Sequence, residues 1–465
     1  MKTTDNANLR SLLQRSGQFD RYCHAANGSV RFSDILAGSC FSEQSDSFDG
    51  RSVLLAIPDH LTTAIAMIKL DGHASRIVLC PPDVDPKHFE TIVSAGQIDI
   101  IACGEENGSD FGHHGLPVVR ARPEIRSQDA SSAIERRTEW VLLTSGTGGM
   151  PKLVLHDLAS LIGAIKPLVK VDDTVVWASF YDIRRYGGLQ IFLRAIVQGT
   201  SMILSQAGEP VGAYLARLQK SAVTHISGTP SHWRWALLSG AANMISPTYV
   251  RLSGEIVDQS ILDALQATYP RAAISHAFAS TEAGVGFDVI DGREGFSATV
   301  IGAQSPNDEV SLRIVDGSLQ IRSKRTASRY LGNGQPPIVG PEGFVDTGDI
   351  VELRGDRYYF AGRREGVINV GGQKIFPEEV ENVINSHPEV QMSLVHGRRN
   401  PMMGALVVAD VVLESTSTNR SRKELAAEIL SRCREALPAY KVPVKVSFVQ
   451  SLDVSTAGKL LRRSP

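Results

Sequence analysis

Cysteine is scarce in this chain of 465 residues, and long uniformly apolar stretches are missing from it. The five cysteines, Cys23, Cys40, Cys80, Cys103 and Cys433, are odd in number and widely scattered. No CxxC pair or Cys/His cluster offers metal-ligand spacing, so the expectation is reduced thiols and not a disulfide framework or zinc site. No uncharged apolar run approaches the roughly 20 residues a membrane span requires. The first thirty residues are polar and interrupted, without the apolar core of a signal peptide. Net charge is small too: 48 Lys and Arg against 50 Asp and Glu leave −2. That gives no electrostatic reason to expect a nucleic acid or a membrane surface as partner. These absences leave a soluble cytoplasmic protein as the expectation. Hydrophobic residues at 42% and charged residues at 21% make an ordinary globular balance. The length requires two or more folding units.

What is present begins with alternation. Ser52–Ile57 reads as a buried strand, Asp59–Asp71 as a helix, and Arg76–Cys80 as a second strand. Further strands are expected at Val141–Leu143, Thr174–Trp177, Ser201–Leu204, Thr224–Ile226 and Ala273–Ser275, with helical spacing between many of them. Strand, crossover helix, strand is the pattern of a layered α/β unit. After about Gly295 short β-prone segments alternate with Gly, Asp and Pro turns, which predicts a β-rich subdomain. From Gly366 a compact α+β pattern returns, with helices over Pro377–Asn385 and Ser421–Ala436. Proline opens the first and acidic residues follow, as the helix dipole favours. No internal repeat or low-complexity tract is present.

The strongest local signal is Leu142–Lys152, LLTSGTGGMPK. A strand ending in hydroxyl and glycine residues, followed by lysine, suits a phosphate: backbone N–H and hydroxyl groups donate, and the ammonium neutralises charge. It is not a Walker A loop, which needs GxxxxGK followed by Ser or Thr. The plain alternative is a Gly-rich hairpin.

The segment resembles the phosphate-binding signature TSGTTGxPK of the adenylate-forming superfamily, which holds acyl- and aryl-CoA synthetases, peptide-synthetase adenylation domains and firefly luciferase. Gly148 stands where Thr is usual and Leu153 where Gly is common. Other matches follow in the family's order. Phe278-Ala279-Ser280-Thr281-Glu282 is similar to the family's YGxTE, where the aromatic packs on adenine, the Thr contacts the α-phosphate and the Glu helps hold Mg²⁺. Ser253-Gly254-Glu255 resembles the adenine-contact segment. Asp349, after Gly348, matches the ribose-binding Asp. Arg363, fourteen residues on, matches an Arg that also contacts the ribose. Glu365 occupies the hinge position, and Gly371-Gly372 matches the segment lining the pantetheine channel. Gly458-Lys459 resembles the family's C-terminal GK, whose lysine enters the active site during adenylation. The resemblance covers most of the chain; the first 50 or so residues match nothing.

The resemblance implies a fold and a reaction. The fold is α/β: a large N-terminal domain, 1–363, of layered α/β subdomains plus a β-rich subdomain, and a small mobile α+β domain, 364–465, hinged at Glu365. The reaction is attack of a carboxylate on the α-phosphorus of MgATP, then transfer of the acyl group from the acyl-adenylate to a thiol. The thiol is coenzyme A or, alternatively, the phosphopantetheine of an acyl carrier protein. Thr144, Ser145, Gly146, Thr147, Gly148, Gly149 and Lys152 would hold the departing phosphates. Thr281 and Lys459 would steady the α-phosphate, and Glu282 would hold the metal. An acid site is expected around Tyr181, Asp182, Arg184, Arg185, Tyr186, Gly187 and His276. There the arginines either read a polar or anionic group, or Asp182 pairs with one of them as a structural ion pair. Two further alternatives are a catalytically silent AMP-binding module and a P-loop kinase or ATPase.

Overall fold

The computed structural model describes residues 7–41, 45–107, 115–127, 136–144, 150–167, 173–302, 310–400, 403–413, 421–453 and 460. The chain divides into two compact units. One comprises Met1–Ser227, Phe278–Phe287 and Arg322–Val345, the other Gly228–Ala277, Asp288–Ile321 and Asp346–Pro465. Each compact unit draws on three stretches of chain, because strands distant in sequence join one sheet.

Parallel strands Ser52–Ala56, Arg76–Leu79, Ile100–Gly104 and Glu139–Thr144 form the middle of an eight-stranded sheet in the first unit. Every residue of Ser52–Ala56 and Ile100–Gly104 is buried, as strands covered on both faces require. Lys152–Asp157 and then Arg329–Leu331 extend one side antiparallel. Val118–Ser127 and Gly38–Phe41 complete the other. Leu54, Val78, Ile101, Val141, Leu153 and Leu155 share one apolar core. In the same unit Ser201–Leu204 pairs parallel with Tyr22–Ala25 and Val176–Ser179, and Val176–Ser179 with His225–Gly228.

Helix His60–Leu70 packs against Gly38–Phe41 and Val118–Ser127 on one side and Tyr22–Ala25 on another. Enclosed in this way it has no wet face, and of its eleven residues only Lys69 is not buried. Asp59 caps it by accepting from the Thr62 N–H at 2.6 Å. Asp71 follows its last turn and ties down the N-terminal segment that sequence left unread. Its carboxylate accepts from Leu9 N–H at 2.7 Å and from Trp140 Nε1–H at 3.1 Å. Burial pushes the Asp71 carboxyl up to about 7, against the pull of those bonds. Helix Leu9–Ser16 opens on a reciprocal Asn8–Ser11 capping box.

In the second unit Tyr249–Ser253 pairs parallel with Ala273–Ser280. A five-stranded sheet runs in the order Phe296–Ser297, Arg357–Arg363, Val345–Arg354, Ser318–Ser323 and Val310–Val315, which is the expected β-rich region. Beyond it come the hairpin Ile368–Val370/Gln373–Ile375 and a sheet of Val390–Asn400, Gly404–Leu413 and Lys445–Phe448. Helices Pro377–Asn385 and Arg422–Ala436 join its core through Val380, Ile384, Leu425 and Ile429. Among the described residues no helix is long and apolar enough to cross a membrane.

One glycine is fixed by packing. A Cβ on Gly188, in helix Tyr186–Gln198, would lie 2.2 Å from the Asp182 carbonyl oxygen and 2.9 Å from Ile183 Cα. Gly→Ala in an open helix gains about 1 kcal/mol. Here the sign reverses: Gly188→Ala is expected to lose roughly 2 kcal/mol or more, because backbone atoms must move. Urea unfolding of the full chain checks this, and a stabilised variant would show that the turn yields.

Candidate active site

The segment expected to bind phosphate is flanked by a ladder. Thr144 ends one strand and Lys152 begins the next, and they stand directly opposite in the antiparallel register. Ser145, Gly146, Thr147, Gly148 and Gly149 lie outside the described residues. The next strand of the sheet, Arg329–Leu331, sets Tyr330 opposite Val154. Tyr330 is thereby a diagonal neighbour of Lys152, whose Nζ lies 5.3 Å from the ring centroid.

Strand Ala273–Ser280 runs into the turn that carries Thr281 and Glu282. Three contacts hold that turn to the sheet. His156 Nε2–H donates to the Thr281 carbonyl at 2.7 Å, Ala327 N–H donates to the Glu282 carbonyl at 2.8 Å, and the Tyr330 hydroxyl donates to Glu282 Oε1 at 3.2 Å. Ser280 Oγ accepts from Ala283 N–H at 3.0 Å. Phe278, two residues before Ser280, stacks on Phe287 with centroids 5.7 Å apart, and Ala279 between them is half-buried. An ammonium, a carboxylate and a hydroxyl from segments far apart in sequence thus belong to one sheet edge. His156 and Tyr330 went unnoticed in the sequence because their partners are remote.

The expected acid-binding stretch is built as an ion-pair frame. Arg184 is 0% exposed. Its Nε and Nη2 donate to the two oxygens of Asp182 at 2.8 and 2.7 Å, and its Nη1 donates to the carbonyls of Ile57 and Pro58. His60 Nε2 stands 3.5 Å from Asp182 Oδ1. Burial would raise the Asp182 carboxyl, but His60 and Arg184 hold it far below the usual range. Asp182 and Arg184 thus form a buried ion pair. Arg185 grips both oxygens of Asp83 at 2.7 and 2.8 Å and donates to the Leu143 carbonyl at 3.1 Å. It braces the strand that leads into Thr144. Tyr181 and Tyr186 are buried; a Cβ on Gly187 would meet the Tyr181 ring at 3.5 Å.

The remaining residues belong to the second unit. Ser253 ends its strand, and Gly254 follows with φ 89°. Glu255 accepts from Ser231 N–H at 2.9 Å and Ser231 Oγ at 3.0 Å, at the start of helix Pro230–Leu238, where the dipole favours an anion. Leu460, the residue after Lys459, donates its N–H to the same carboxylate at 3.2 Å. Lys459 itself lies outside the described residues. His276 Nε2–H donates to the Arg293 carbonyl at 2.9 Å.

Asp349 and Arg363 face each other across a strand pair, with Arg363 Nε 3.2 Å from Asp349 Oδ1. Gly348 before Asp349 adopts φ 71°, and its N–H donates to Asp346 at 3.0 Å. Glu365 is exposed in a single 3₁₀ turn, Arg364–Gly366. Gly371 and Gly372, at φ 55° and 84°, form the two-residue turn of the hairpin, where positive φ at both positions matches the twist of the strands. The Gly371 N–H donates to the Met403 carbonyl at 2.9 Å.

The chain matches the model of the AMP-binding enzyme family over residues 75–327 and that of the AMP-binding enzyme C-terminal domain over residues 379–459. It belongs to this family, the adenylate-forming enzymes, with a large N-terminal domain and a smaller C-terminal one. It is 27% identical to the 2-succinylbenzoate–CoA ligase of Salmonella typhimurium, covering 88% of this chain and 86% of that one. It is 25% identical to the feruloyl-CoA synthase of an Amycolatopsis species, over 81% and 76%. Among solved structures it superimposes on an anthranilate CoA ligase in complex with anthranoyl-AMP at TM-score 0.82 and 18% identity, covering 99% of this chain and 97% of that one. It superimposes on the O-succinylbenzoate coenzyme A synthetase of Bacillus subtilis, with ATP and magnesium ion, at TM-score 0.74 and 19% identity, over 97% and 98%.

His156 gives the site a pH signature. Burial pushes its imidazole down to about 4, outweighing the Thr281 carbonyl and the Asp157 charge. The unfolded chain takes up a proton near 6.5, before the folded one does. The stability contributed by neutral His156 is therefore complete above about pH 6.5 and is lost as pH falls toward 4, at about 1.4 kcal/mol per pH unit. His232, lowered to about 4 as well, adds a slope of the same sign. Replacing His156 with Gln is expected to lower the slope of unfolding free energy against pH between 6.5 and 4 by about 1.4 kcal/mol per pH unit, while the opposing slope from raised Asp71 stays as it is. An unchanged slope in urea titrations would contradict the placement of this histidine.

Proposed function

We infer that the chain is an AMP-forming acid–thiol ligase that activates an aromatic or acyl carboxylic acid with ATP and transfers it to coenzyme A. The relatives cited are named for CoA ligation of aromatic acids, which favours an aryl acid and free CoA over a carrier protein. The observation that supports the reading most is the Lys152–Tyr330–Glu282 group beside the 144–152 ladder, which sets a phosphate-type cation and a hard oxygen ligand on one sheet edge. A reducing, cytoplasmic setting suits the five buried free cysteines.

A single carboxylate such as Glu282 fits magnesium, which keeps several waters and takes other ligands from substrate phosphates. When bound, the ion neutralises charge on those phosphates. The chain's own work is positioning and charge stabilisation. Lys152 and the 144–149 segment would hold the departing pyrophosphate, and Thr281 the α-phosphate. Phe278 and Ser253–Glu255 would border the adenine; Asp349 would accept from the ribose hydroxyls with Arg363 beside it. The carboxylate of the acid attacks the α-phosphorus as Lys459 neutralises the charge that builds there. Rotation of the C-terminal domain about Glu365 would then bring in Gly371 and Gly372, whose lack of side chains admits a pantetheine arm. Thiolate attack on the acyl carbon expels AMP.

This assignment separates two half-reactions. Lys459→Ala is expected to cut adenylation, followed by hydroxamate trapping over a panel of aryl, aliphatic and amino acids, by about a hundredfold or more. Thioester formation from supplied acyl-AMP should stay within a few-fold of the parent. Equal damage to both would remove Lys459 from the adenylation step.

A further inference from the structure

Tyr330 touches both charged groups on which the reading above depends. Its hydroxyl donates to Glu282 Oε1 at 3.2 Å, and the Lys152 ammonium lies 5.3 Å from its ring centroid. Its backbone is fixed by the ladder to Lys152–Asp157. Leu331 beside it is buried in the core with Leu153 and Leu155. A slip of one residue would turn Tyr330 to the other face of the sheet, so its aim is set by the register. The Glu282 backbone is held separately by Ala327, which leaves the side chain to be oriented by the phenol.

Opposite charges that share one neighbour can pair with each other, which would neutralise both. A phenol engages each differently, by a hydrogen bond to the carboxylate and by the ring face to the ammonium. Such a bond leaves Glu282 Oε2 and the outer lone pairs of Oε1 available to a metal.

We propose that Tyr330 is a positioning residue that orients Glu282 for a nucleotide-borne divalent cation and holds Lys152 apart from it for the β- and γ-phosphates. This rests on the reading of Glu282 as metal ligand. Tyr330→Phe keeps the ring and removes the donor, whereas Tyr330→Leu removes both.

Calorimetric titration of the full chain with ATP, with and without Mg²⁺, tests the proposal without relying on turnover. Tyr330→Phe is expected to lose about tenfold in the magnesium-dependent gain in ATP affinity, with binding of metal-free ATP unchanged. Tyr330→Leu should weaken metal-free ATP binding as well, by several-fold. Glu282→Gln supplies the reference, and Tyr330→Phe added to it should cause no further loss if the hydroxyl acts through that carboxylate. Additive losses, or a Tyr330→Phe titration identical to the parent's while Glu282→Gln is impaired, would overturn the role of Tyr330 alone. Intact magnesium dependence in Glu282→Gln would overturn the metal reading and the proposal with it.

Discussion

The antiparallel ladder between Glu139–Thr144 and Lys152–Asp157 is the constraint on which the candidate site depends. It fixes Thr144 and Lys152 opposite each other, where the chain leaves and rejoins the sheet around the proposed phosphate-binding segment. Through His156 on the same strand it holds the Thr281 carbonyl, and through the neighbouring strand it sets Tyr330 against Glu282. Backbone pairing specifies register because the face that Leu153 and Leu155 share is packed into the core, where they are 3% and 2% exposed. The candidate site lies beside a sheet whose strands are positioned by a core of ordinary aliphatic residues.

The buried charges serve that frame. Asp182 and Arg184 satisfy each other and also the carbonyls of Ile57 and Pro58, which would otherwise be costly to bury at the start of helix His60–Leu70. Arg185 performs a similar task for the Leu143 carbonyl, one residue from Thr144. Breaking such a buried pair by removing one partner costs about 3–5 kcal/mol, far more than an exposed pair contributes. Charge in this stretch therefore speaks of architecture near the site more than of the acid that enters it.

Much of the fold was legible locally. Ser201–Leu204 and Pro377–Asn385 were read with the bounds they have, because a short buried apolar run and a proline-opened, acid-led helix carry their own signals. The helical pattern bounded by Asp59 and Asp71 is a helix with these two residues as its caps. The phosphate-binding motif was legible as a string of residue types. What could not be read is pairing at a distance: nothing near Arg329–Leu331 marks it as the partner of Lys152–Asp157, and its three residues are too few to show alternation. For the same reason Glu255, read only for its neighbourhood, is engaged by Ser231 and Leu460. The described residues 7–41 show no motif because they complete sheets and dock on Asp71.

The central claim is that a carboxylate oxygen bonds directly to the α-phosphorus of ATP. Acid labelled with ¹⁸O in both carboxylate oxygens, incubated with the enzyme, ATP, Mg²⁺ and CoA, tests it by mass spectrometry of the nucleotide product. The account predicts AMP carrying one labelled oxygen, formed in equal amount with pyrophosphate and acyl-CoA. ADP as the nucleotide product, or label found in orthophosphate with AMP unlabelled, would contradict it.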